Sequence, residues 1–178
     1  VNSFKREPSP ALIMVYAVAE GMFLGGLSGV LEGLYPGIVI QAVIGSLSVF
    51  AVTLLLFKSG KVRATPKMTK FFLIALGGYF VFSLINFGLM IFNVTNSPWG
   101  IRSMDIPGTH IPFGVVLGLL AVGLAAFSLI MDFTSIQRGV ENGVPARYSW
   151  TAAFGLTVTL VWLYVEILRL LAIMRGNN

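Results

Sequence analysis

The chain has 178 residues, 56% of them hydrophobic and 11% charged, with a net charge of +5 and no cysteine. Soluble domains carry about 25% charged residues, so an ordinary solvated surface is excluded, and so are disulfides, thiolate metal sites and cysteine nucleophiles. The positive balance is expected to set membrane topology rather than to bind nucleic acid.

The first ten residues, VNSFKREPSP, hold Lys5 and Arg6 and lack the pattern of a signal peptide. The first residue is Val rather than Met, so the chain is expected to be processed or truncated at its start. Five apolar runs follow. Residues 11–31 contain one charge, 37–57, 71–101 and 111–131 none, and 148–174 two. Crossing a hydrocarbon core takes about 20 apolar residues at ~1.5 Å each. The expectation is therefore an all-α polytopic transmembrane bundle, a single domain with helices at about 11–33, 37–57, 69–93, 112–137 and 148–174. Period-2 alternation is absent, which argues against a β-barrel.

Ser9 and Pro10 suit the N-cap and first turn of the first helix, and LYPG (34–37) is a tight turn into the second. The connection KSGKVRATPKMTK (58–70) carries Lys58, Lys61, Arg63, Lys67 and Lys70 and no acid, with Pro66 just before the third helix. Residues 93–112 form a longer loop with a lone His110, and RGVENGVPAR (138–147) is a Gly-rich turn that adds Arg138 and Arg147. The opposite side offers only Arg102 and Arg175. By the positive-inside rule the chain start, second connection and fourth connection are cytoplasmic.

In the first helix Ala17, Gly21, Gly25, Gly29 and Gly33 recur every four residues, with Gly26 beside them. Such a stripe predicts close helix packing, and Gly118, Gly123, Ala125 and Ala126 of the fourth helix are the expected counterpart.

Ionisable groups within a span are costly and mark functional sites unless paired or interfacial. Glu20 lies about 15 Å into the first helix and reads either as a functional group or as a partner for Gln41, Ser46 or Asn86. Glu32 closes that helix, where interfacial solvation accounts for it. Asp132 falls near the inner end of the fourth helix, a candidate partner for Arg138 or Arg147. Glu166 lies about 25 Å along the fifth helix with Arg169 one turn on. Either those two pair, or Arg169 snorkels outward and leaves Glu166 facing the bundle interior. No P-loop, zinc spacing, nucleophile elbow or GxGD-like context occurs, so an enzyme is not expected.

The stretches AEGMFLGGLS, YPGIVIQAV and AFGLTVTLVWLYVEILRLL, with their spacing, resemble the Bax inhibitor/YccA family, in its bacterial, actinobacterial-type branch. The resemblance covers nearly the whole chain. It implies a seven-helix fold of which this chain matches the last five, with the final helix central, in a bacterial inner (plasma) membrane. It further implies a pH-sensitive calcium leak, or else a non-conducting protein that binds a membrane protease or another membrane complex. The implied sensor is an acidic pair, here Asp132 and Glu166, which would also meet calcium, with Arg6 or Lys5 as basic gating partner; no other cofactor is implied. One spacing departs from the pattern. With turns near 139 and 147, the residue level with Asp132 is close to Phe154, and Glu166 lies about 18 Å further in. Glu20 and Glu166 then form the alternative site, with Asp132 at its mouth.

Overall fold

A computed structural model describes residues 10–60, 65–93 and 105–176. Five helices follow in order: α1 (Pro10–Leu34), α2 (Ile38–Lys58), α3 (Pro66–Ile91), α4 (Phe113–Glu141) and α5 (Ser149–Gly176), the last entered through a 3₁₀ turn at Ala146–Tyr148. All five, with that turn counted into the last, are long and apolar enough to span a membrane. The protein is a multi-pass membrane protein. The fourth helix runs to Glu141, beyond the expected 137, and the third begins at Pro66 rather than 69. At Pro66 the Thr65 hydroxyl accepts from the Met68 amide at 3.2 Å, and proline occupies a first-turn position that needs no N–H.

The helices alternate in direction, so the ends of α2, α3 and α4 that carry Lys58, Lys67, Lys70 and Arg138 lie together with the start of α5. Ring contacts fix the alignment: Phe57 of α2 lies 5.6 Å from Phe133 of α4, and Tyr16 of α1 lies 5.0 Å from Phe154 of α5. At the opposite end Arg175 donates to the Pro36 carbonyl and, at 3.1 Å, to Gln41. Glu32 has a specific task there. Its carboxylate accepts from the amides of Gly37 at 2.7 Å and Val39 at 3.0 Å, capping the start of α2 across the turn. A negative group at amide-rich helix starts is favourable, so Glu32 is a cap rather than a merely solvated end.

α5 is the central element, packed on α1, α2 and α4, while α1 and α3 are peripheral. The core is the α2–α4–α5 interface, built from Ile38, Ala42, Leu129, Phe133, Leu163 and Leu168 with their neighbours. Close approach depends on small residues at α4–α5 and α2–α5. A Cβ on Gly118 would stand 2.8 Å from Leu170 Cδ1, and one on Gly45 3.4 Å from Ile167.

The expected pairing of the α1 stripe with α4 is not formed. Gly21, Gly25, Gly26, Gly29 and Gly33 each have nothing within 4 Å of a built Cβ. α1 instead packs through Leu27, Leu31 and Ser28, whose hydroxyl lies 2.6 Å from Tyr164 Oη. Interior space beside α4 is taken by α5, whose larger side chains give more contact than a glycine row.

Candidate functional site

Glu166 is 2% exposed, the most buried of the described acids. It lies on the side of α5 turned toward α3. There the Tyr79 hydroxyl donates to Glu166 Oε1, and Arg169 Nη1 donates to the same oxygen at 3.1 Å and to Tyr79 Oη at 3.4 Å. Of the two arrangements the sequence left open, the i,i+3 pair is the one present, and Arg169 turns back toward Glu166 rather than outward. Helical side chains lean toward their own N-terminus, which on α5 is the basic end, so the lean carries Arg169 inward. Trp162, with its ring centroid 6.4 Å from that of Tyr79, packs beside the cluster. A side cleft of about 620 Å³ between α3 and α5 is lined by Tyr79, Trp162, Glu166 and Arg169.

Asp132 occupies a different environment. Thr159 of α5 donates to its Oδ2 at 2.7 Å, and Ser128 Oγ lies 3.4 Å from the same threonine hydroxyl. Asp132 is half-buried and lines a cavity of about 590 Å³ between α4 and α5, together with Tyr148, Ser149 and Gly155. Gly155 faces the carboxylate, and a Cβ there would stand 3.7 Å from Asp132 Oδ1, an ordinary contact. Among the described residues no ion pair joins Asp132 to Arg138 or Arg147, so that expectation is not met.

The residue level with Asp132 is therefore Thr159, not Phe154. Nine residues separate Asp132 from the end of α4 at Glu141, and ten separate Ser149 from Thr159. The longer α4 and the intervening 3₁₀ turn move the register by five residues. Glu166 is then two turns, or about 10 Å, beyond Asp132's partner rather than 18 Å. Thr159, Leu163 and Glu166 recur at i, i+4 and i+7 along one side of α5. Leu163 and Leu129, the latter one turn from Asp132 on α4, are both fully buried. Two fully buried leucines thus lie at the level between the two carboxylates.

Glu20 does not join either cluster. The contacts of Tyr16 with Phe154 and of Ser28 with Tyr164 place it level with residues 157–158 of α5, about 13 Å short of Glu166. It is half-buried, and it bonds none of the expected partners: Gln41 serves Arg175, and Ser46 donates to its own helix at Ala42. The alternative Glu20–Glu166 site is not assembled. Arg6 and Lys5 lie outside the described residues. Among the described residues no group of three His, Asp or Glu side chains converges as a metal site.

Two side chains of these clusters escaped the sequence reading. Tyr79 carried a weak signal, since a phenol in the middle of an apolar span needs a hydrogen-bond partner. Thr159 carried none, because a helical threonine can bond its own i−4 carbonyl, as it also does here to Gly155 at 3.1 Å.

A family model described as Bax inhibitor 1 like matches residues 1–176. No curated protein and no solved structure matches the chain.

Proposed function

The chain belongs to the Bax inhibitor 1-like family, and from that premise we propose that it is a pH-sensitive cation leak of the bacterial plasma membrane, with calcium as permeant ion and the basic end cytoplasmic. One observation carries the reading. Two carboxylates stand at successive levels along α5, about 10 Å apart, with fully buried leucines between them. A cation entering the cavity at the basic end meets Asp132 first, and hard oxygen ligands suit calcium. Leu129 and Leu163 then form a dry barrier of the kind that gates by excluding water. Beyond it, Glu166 is held by Arg169 and Tyr79, which neutralise it in the closed arrangement. Making and breaking the Glu166–Arg169 ion pair would shift the balance between closed and open states.

The test is calcium uptake by proteoliposomes from about pH 6 to about pH 8, a range that brackets neutral pH. Wild-type protein is compared with Glu166→Gln and Asp132→Asn. Expected is uptake above empty liposomes, a flattened pH dependence for Glu166→Gln, and reduced uptake at every pH for Asp132→Asn. Absence of uptake in the wild type overturns the leak.

The open glycine face of α1 favours a second reading, a non-conducting membrane protein that receives a partner helix there. That reading predicts no flux and a stable companion protein after purification in mild detergent.

A further inference from the structure

The basic end of the bundle holds a second feature that the leak does not use. Between the start of α3 and the end of α4 runs a groove of about 660 Å³. Its α3 wall reads Lys70 and then Leu73 and Ile74, three and four residues on; its α4 wall reads Arg138, Ser135 and then Met131, spaced three and four residues apart. That spacing keeps each set on one side of its helix. Both walls therefore pass in the same direction, from cation and hydroxyl at the membrane boundary to aliphatic surface about 5–10 Å deeper.

Charge at the groove is uncompensated. No carboxylate lines it, and neither Lys70 nor Arg138 forms a salt bridge among the described residues. Both side chains are exposed, so the cations are free to turn into the groove. Thr69 adds a hydroxyl on the α3 side, beside the amide-rich first turn that Thr65 caps. Two cations and hydroxyl donors above an apolar slot match a phosphodiester with acyl chains beneath it, and basic pockets between spans take anionic headgroups. A soluble anion would have no use for the lower half of the slot.

We propose that this groove binds the headgroup of an anionic phospholipid, with Lys70 and Arg138 as its phosphate ligands and Leu73, Ile74 and Met131 against the first acyl carbons. The site is independent of the leak reading. It fixes α3, the helix that carries Tyr79 and touches the core least, against α4.

The experiment titrates the full chain in uncharged detergent with phosphatidylglycerol or phosphatidylcholine and counts retained lipid by native mass spectrometry. Wild-type protein should retain phosphatidylglycerol preferentially. At about fivefold for each cation near the surface, Lys70→Gln with Arg138→Gln should weaken it roughly thirtyfold. The single variants, each about fivefold weaker, preserve the test where the double variant fails to fold. Lys67→Gln, an exposed neighbour outside the groove, should change retention clearly less than either single variant if the site is local. Equal retention by wild-type and double-variant protein overturns the proposal. So does an equal loss with Lys67→Gln, which would mean diffuse attraction to a basic surface. Displacement of the lipid by millimolar inorganic phosphate would also overturn it, because the groove would then be an ion site.

Discussion

Asp132 and Glu166 are carboxylates two turns apart on the same α4–α5 axis, yet the fold treats them differently. Asp132 stands beside a cavity and receives one neutral donor, Thr159. Glu166 is almost fully enclosed and receives a guanidinium and a phenol on one oxygen. The difference follows from the cost of desolvation. A carboxylate that keeps access to water needs little help from the protein, whereas one removed from water needs an opposite charge.

The largest effect that would sharpen this contrast comes from Arg169. Arg169→Leu leaves a buried carboxylate without its counter-charge, and because the arginine side chain is itself 28% exposed the loss should fall near the lower end of the range for such pairs, about 3 kcal/mol. Unfolding in detergent would measure it, and Glu166→Gln added to Arg169→Leu should recover most of the loss. A cost for Arg169→Leu no greater than that for Thr159→Val would break the comparison.

Next in size is the packing around the dry level. Gly118→Ala pushes on Leu170, the neighbour of Arg169, and should cost about 1–2 kcal/mol, limited by how far the leucine can swing. Gly29→Ala on the open face of α1 should be neutral or slightly stabilising, since alanine has the better helix propensity by roughly 1 kcal/mol and meets nothing here. A marked loss at Gly29 in the purified protein would mean that this face is covered in solution, which supports the partner reading.

The smallest effect belongs to the cavity-lining carboxylate. Thr159→Val removes one interhelical hydrogen bond and should cost about 1 kcal/mol or less, with Asp132 turning to the cavity for water. A larger cost would show that Asp132 is held as tightly as Glu166.

Much of this was legible in the chain. Run length and charge spacing determine five spans and their alternation, because a hydrocarbon core fixes how many apolar residues a crossing needs. The Glu166–Arg169 pair was legible as one of two alternatives, since three residues of helix bring two side chains within reach, while an outward Arg169 was equally open to the chain. Pro66 marked the start of α3 to within three residues.

Tertiary structure decided the rest. Helices that are apolar on every side carry little information about which side turns inward. Nothing in the pattern of α1 says that Leu27, Ser28 and Leu31 face α5 while the glycines face away. The Asp132–Thr159 match depended on an α4 that runs on to Glu141 and on a 3₁₀ turn, small changes that move a side chain by several ångströms along the axis. Tyr79 meets Glu166 across 87 residues of sequence, a contact set only by how α3 is rotated and how far it has slid against α5. Local spacing fixes pairs within one helix, while rotation and register between helices are properties of the packed bundle.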